Sequence, residues 1–241
     1  MSERFFLGGP PREGRAVLDG DEARHLTRVL RARIGDEVVL FDGSGTAWPA
    51  RIAGIHRDRV DLETTATLAD PPRCGPAVTL AVALPKGERQ KWLVEKLTEL
   101  GVERLVPLVT VRGVAEATAS ARARLERGVI EACKQCGRNR LMEIGEPQSI
   151  SAVLAARPVN GRAIIADPDG PPLDAHGITA GTSIAAGTTS LLALIGPEGG
   201  FTPEELAVAT GEGAVRAALG PHILRVETAA IALAARLASA S

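Results

Sequence analysis

Residues 69–76 read ADPPRCGP, three prolines and a glycine in eight positions, and no helix or strand can run through them. The apolar period differs on the two sides of this break. Before it, short β-compatible segments end at Gly or Asp turn signals: RAVLDG, EVVLFDG, AWPARIAGI and RVDLETT. After it, continuous apolar runs alternate with amphipathic stretches. In 241 residues there is room for two modest domains. The break therefore predicts a domain over 1–72 and a second over 73–241.

Within the first domain, DEARHLTRVLR (21–31) has a helical period that places Ala23, Leu26, Val29 and Leu30 on one face. A small β-barrel carrying one short helix fits this pattern. In the second, AVTLAVALP reads as a strand buried on both faces. ERQKWLVEKLTELG follows as a helix ending at Gly101, then RLVPLVTV as a strand and ARLERGVIEACKQCG as a helix. RAIIADP and SLLALIGPEGG are further buried strands, and GITAGTSIAAGTTS (177–190) reads as a loop. This alternation predicts an α/β domain with a mostly parallel sheet.

Composition narrows the function classes. No run of about 18 apolar residues exists, which argues against a membrane span. MSERFFLGG lacks the apolar core of a secretion signal, and Cys74, Cys133 and Cys136 make no disulfide framework, so the expected location is cytoplasmic. Cys133 and Cys136 form a CxxC inside a helical pattern. No second cysteine pair and no matching histidine spacing complete a zinc set, and no metal is expected. GxSxG is absent and no Ser-His-Asp arrangement is legible. Aromatic residues are 2% of the chain and tyrosine is missing, which argues against base stacking on an aromatic sheet. Net charge is −1, but residues 86–140 carry 12 Lys/Arg against 7 Asp/Glu. Such a stretch is a phosphate-facing patch or a set of solvated helix faces.

The strongest local signal is LLALIGPEGGFTPEEL (191–206), a buried strand running into a glycine-rich turn and a helix start. Thr202, Pro203 and Glu205 give the N-cap, the first-turn proline and the capping-box acid. Gly196, Gly199 and Gly200 allow a ligand close to backbone amides, at the strand end where parallel α/β sheets bind ligands. The same glycines would also serve an ordinary tight turn. A P-loop is ruled out because no Lys-Ser or Lys-Thr follows them. GxGxxG fails too: Gly43, Gly45 and Thr46 lead to Trp48 in the third glycine's place, and Gly211 and Gly213 to Arg216. A second signal is ALGPHILRVETAAIALAARLASA (218–240), a Gly-Pro turn before a long Ala-rich helix. Arg225 and Glu227 stand at its start. Arg225 is either an ion-pair partner or a stabiliser of charge on a reacting base.

Together these motifs resemble the ribosomal RNA small subunit methyltransferase E family of SPOUT methyltransferases. The resemblance runs nearly end to end through RFF (4–6), HLTRVLR (25–31), KLTELGV (96–102), EACKQCGRNR (131–140), IGPEGGFTPEE (195–205) and LGPHILRVETA (219–229). His222 departs from the family pattern. The resemblance implies a PUA-like N-terminal barrel that helps bind RNA, a deep trefoil knot in the C-terminal domain, and a homodimer. It implies S-adenosylmethionine as cofactor and methyl transfer to N3 of a uridine in small-subunit ribosomal RNA, free or in the assembled subunit.

Carried over by motif position, the cofactor loops are Ala166; then Leu194, Ile195, Gly196, Pro197, Glu198, Gly199 and Gly200; then Leu219, Gly220, Ile223 and Leu224. For the chemistry, Arg138 and Arg225 would stabilise charge on the uracil oxygens, and Glu198 would orient a reactant or accept a proton. Arg4, His25, Arg28 and Arg31 would contact RNA, with Arg24, Arg28 and Arg31 on one helical face. Two alternatives remain: a related enzyme acting on transfer RNA or a ribose 2′-OH, and an RNA-binding assembly factor without chemistry.

Overall fold

The computed structural model describes residues 3–70, 75–113, 119–176 and 188–238. The centre of the proline break with Cys74 (71–74) and most of the expected Gly/Thr-rich loop (177–187) lie outside the described residues. The chain forms two compact units. One comprises Met1–Pro72 with Ile130–Leu141, the other Arg73–Val129 with Met142–Ser241.

The first unit contains β1 (Arg4–Phe6), β2 (Arg15–Asp19), α1 (Gly20–Arg24), a π-helical turn (His25–Val29), β3 (Glu37–Phe41), β4 (Thr46–Ile55), β5 (Arg59–Thr64) and β6 (Leu68–Ala69). The sheet order is β1-β3-β4-β5-β2, with β6 on β4. β1 runs parallel to β3 and the other pairings are antiparallel. Alternation sends Ala16 and Leu18, Val38 and Leu40, and Val60 and Leu62 inward, where they pack with Phe5, Leu26, Trp48 and Ile52.

The single helix expected over 21–31 forms with a changed period. At His25 it widens: the Leu30 N–H donates to the His25 carbonyl five residues back, at 3.1 Å. The extra residue per turn breaks the expected face. Ala23 and Leu26 are buried and Leu30 packs on the core, but Val29 is 69% exposed. Arg31 lies beyond the helix in the left-handed region (φ 55°), and the Ala32 N–H closes the end on the Leu26 carbonyl. Arg24, Arg28 and Arg31 therefore do not share one regular helical face.

The second unit builds a seven-stranded sheet. Its elements are β7 (Ala77–Val82), α2 (Glu88–Glu99), β8 (Arg104–Val109), the start of α3 (Ala119–Cys136), β9 (Glu143–Ile144), β10 (Gln148–Ser149), α4 (Ile150–Ala155), β11 (Gly161–Ala166), a 3-10 turn (Leu173–His176), β12 (Ser190–Ile195), α5 (Pro203–Gly211), β13 (Ala214–Ala217) and α6 (Val226–Ala238). The order is β10-β8-β7-β12-β11-β13, with β9 on β8, and every described pairing is parallel. β12 is buried along Leu191–Ile195, as its unbroken apolar run requires. Its Leu192 and Leu194 share a core cluster with Ile150 and Leu154 of α4 and Ala209 of α5, while α6 packs on α2, β7 and β12.

Residues 130–141 complete the first unit. Asn139 is buried; its Nδ2 donates to Asp70 at 2.6 Å, and its Oδ1 accepts from Arg4. The Leu141 N–H donates to the Gly43 carbonyl at 3.1 Å, and Lys134 pairs with Glu22. Burial works against the Lys134 ammonium, but hydrogen bonds to Glu22 and Glu131 outweigh it and raise its pKa.

Candidate active site

Three turns leave the C-terminal ends of β11, β12 and β13 and border one cavity of about 490 Å³. After β12 the chain turns at Pro197–Gly200, where the Gly200 N–H donates to the Pro197 carbonyl at 2.9 Å. Gly200 has φ 67°, a conformation costly for a residue with a Cβ. Helix α5 starts immediately after. The Thr202 hydroxyl accepts from the Glu205 N–H at 3.2 Å, and Glu205 Oε2 accepts from the Thr202 N–H at 2.8 Å. The other oxygen of Glu205 accepts from the Val111 N–H at 2.8 Å, and Arg112 donates to the Gly199 carbonyl at 2.6 Å. The loop after β8 is thereby tied to the glycine turn.

After β11, Asp167-Pro168-Asp169-Gly170 closes a tight turn. The Gly170 N–H donates to the Asp167 carbonyl at 3.0 Å and the Asp169 N–H to the Asp167 carboxylate at 3.1 Å. A Cβ on Gly170 would lie 2.9 Å from the Ala217 backbone nitrogen, so glycine is required by close approach. Arg216 of β13 pairs with the buried Asp167 and links these neighbouring strands at their ends.

The structure brings Ala166, Ile195–Gly200, Leu219, Gly220, Ile223 and Leu224 together around the cavity. Leu194 does not line it, being fully buried inside β12. Arg112, Asp167, Asp169, Phe201 and His222 line it as well. The sequence held one signal for this part of the wall, the Asp-Pro-Asp-Gly turn at the end of a buried strand. Ile223 is 83% exposed, an apolar side chain held at the rim.

Glu198 stands on the cavity wall with its side chain 47% exposed, and accepts a hydrogen bond from Arg89 at 3.0 Å. Arg225 precedes α6 and is exposed; its carbonyl accepts from the Ala229 N–H, and the residues beside it, Leu224 and Val226, line the cavity. Arg138 belongs to the first unit, in the turn after α3, and its carbonyl accepts from Arg4 at 3.4 Å. In the same unit His25, Arg28 and Arg31 are exposed on and just after the π turn, with His25 edge-on to Phe5. Arg4 differs from these three. Its guanidinium lies 5.0 Å from the Phe41 ring centroid and bonds Asn139, and burial lowers its pKa from the ordinary value. Among the described residues there is no group of three or more His, Cys, Asp or Glu that could hold a metal ion, and no helix is long and apolar enough to cross a membrane.

The RNA methyltransferase domain family matches residues 73–238, and the RNA methyltransferase PUA domain family matches residues 18–65. The ribosomal RNA small subunit methyltransferase E of Mycobacterium bovis is 32% identical over 239 residues, covering 94% of this chain and 87% of that protein. The protein of the same name from Bacillus subtilis is 27% identical, covering 88% and 85%. Among solved structures, the ribosomal RNA small subunit methyltransferase E of Neisseria gonorrhoeae bound to S-adenosyl methionine has a TM-score of 0.85 at 29% identity, covering 98% and 96%. A Legionella pneumophila methyltransferase solved with bound SAM gives 0.86 at 28% identity, covering 98% and 97%.

Proposed function

Because the chain belongs to the ribosomal RNA small subunit methyltransferase E family, it is an S-adenosylmethionine-dependent RNA methyltransferase, and we propose that it methylates N3 of one uridine in small-subunit ribosomal RNA. The observation that carries this reading is the single cavity bordered by the turns after β11, β12 and β13. Its volume suits a nucleoside-sized ligand. The turns offer backbone amides and apolar surface from Ile195, Pro197 and Leu224, and Asp169 and Glu198 supply negative charge on the wall. That donor set fits S-adenosylmethionine, which joins an adenosine to a cationic sulfur.

The residues of the three turns would hold the cofactor. When bound, it supplies an electrophilic methyl group on a positively charged sulfur. Uridine N3 carries a proton, so the protein must favour the deprotonated base beside that methyl. Arg138 and Arg225 are assigned to the negative charge that develops on the uracil carbonyl oxygens, since a guanidinium stays charged throughout. Glu198 orients the reactants from the cavity wall or takes up the proton. The target base must leave its stack to expose its Watson–Crick edge. His25, Arg28 and Arg31 are assigned to the RNA backbone, and two copies of the chain to a homodimer.

The test is to incubate the protein with S-adenosylmethionine and small subunits lacking base methylation, then analyse digested nucleosides by mass spectrometry. New 3-methyluridine is the expected product. Cofactor binding without any methylated nucleoside would remove the small subunit as substrate and move the search to transfer RNA.

A further inference from the structure

Three groups on three elements meet beside the cavity without being explained by the turns. Arg89 is the second residue of α2, Glu198 lies in the turn after β12, and Glu227 lies in the first turn of α6. One nitrogen, Arg89 Nη1, is 3.0 Å from Glu198 Oε1 and 3.7 Å from Glu227 Oε2. An arginine in a first helical turn opposes the helix dipole, so local helix energetics do not account for its place. The two carboxylates do. They differ in surroundings: the side chain of Glu198 is 47% exposed, that of Glu227 only 6%. A carboxylate withdrawn from water requires a cation. Among the described residues Glu227 Oε2 has no hydrogen-bond partner, and the Arg89 guanidinium supplies its compensating charge.

We propose that Arg89 is a positioning residue, anchored by the buried carboxylate of Glu227 and holding Glu198 in place on the cavity wall. Glu227 fixes where the guanidinium sits, because moving it away strands a buried charge. The half-exposed Glu198, otherwise free to turn into solvent, is then held by a charged hydrogen bond across the ends of α2 and β12. This rests on the reading of Glu198 as a residue that acts on cofactor or base.

The experiment measures the S-adenosylmethionine dissociation constant by calorimetry, turnover on undermethylated small subunits, and Tm. The variants are Glu198→Gln, Arg89→Met, Arg89→Lys, Arg89→Met with Glu198→Gln, and Arg89→Met with Glu227→Gln. Glu198→Gln is expected to weaken cofactor binding or kcat/KM by roughly tenfold or more, the loss typical of an interaction with a charged group. Arg89→Met should do the same, Arg89→Lys should recover part of the loss, and Arg89→Met should add little once Glu198 is already Gln. Removing the stranded charge with Glu227→Gln should restore Tm to Arg89→Met without restoring binding or turnover. A purely structural role would restore all three together and would overturn the proposal. An impaired Glu198→Gln variant with a silent Arg89→Met, or with fully multiplicative effects, would overturn the positioning role alone. A silent Glu198→Gln would overturn the role of Glu198 and the positioning role with it.

Discussion

Cys133 and Cys136 lie one turn apart on α3 but in different surroundings: the first is buried, the second exposed. Burial, reinforced by Cys136, pushes the Cys133 thiol up to about 12, with Arg138 and Arg4 opposing the shift. In the folded protein Cys133 should stay unmodified by iodoacetamide at pH 8 and become labelled only on unfolding, as peptide mass spectrometry would report. The linkage has a definite sign. The folded state keeps this proton between about pH 9 and 12 while the unfolded chain loses it, so stability is full below about 9 and falls as pH rises further. Urea midpoints at pH 8 and 10 should fall further for the native sequence than for Cys133→Ala. Arg138→Ala should reduce turnover far more than cofactor affinity; near-normal turnover would remove Arg138 from the chemistry. The glycine turn was legible in sequence because its residue types are demanded locally by backbone shape. Arg89, Arg112 and the inward-facing Arg4 were not, because a guanidinium's partners lie far away in the chain: Glu198 and Glu227, Gly199, and Asn139.

Among the elements, the π turn makes a sharp test. Its sequence period gives Leu26 and Val29 equal standing, while the fold buries only Leu26. Leu26→Ala should cost about 2–5 kcal/mol, and Val29→Ala should stay within about 0.5 kcal/mol, measured by denaturant unfolding. At the start of α5, Thr202→Ala should cost about 1 kcal/mol for one lost cap. Glu205→Ala should cost more, because its carboxylate also holds the Val111 N–H. The long strands and helices follow from apolar period alone. α4, with six residues, and β13, with four, are too short to show a period, and β9 and β10 have two residues each. The one-residue widening at His25 is invisible to any pattern count that assumes a fixed turn.

At the scale of the whole molecule, the parallel sheet and its cavity at the strand ends follow from alternating buried runs, whereas the RNA and dimer assignments rest on kinship and surface charge. If Arg28 and Arg31 face phosphates, Arg28→Ala with Arg31→Ala should lower the slope of log affinity against log salt by about one to two. An unchanged slope would clear them of that role. Sedimentation equilibrium should give twice the chain mass; a single-chain mass at micromolar concentration would overturn the homodimer. The family matches divide the chain in sequence near residue 70, but Ile130–Leu141 forms part of the first compact unit. Residues 1–72 expressed alone should accordingly melt well below the same unit in the full chain, since Arg4, Asp70 and Glu22 lose Asn139 and Lys134. The same feature sets a clock during synthesis. Leu141 is the sixty-ninth residue after Pro72, and a ribosome adds that stretch in roughly 3–14 s at about 5–20 residues per second. For that interval the newborn barrel waits, incomplete, for a piece of itself still to be translated.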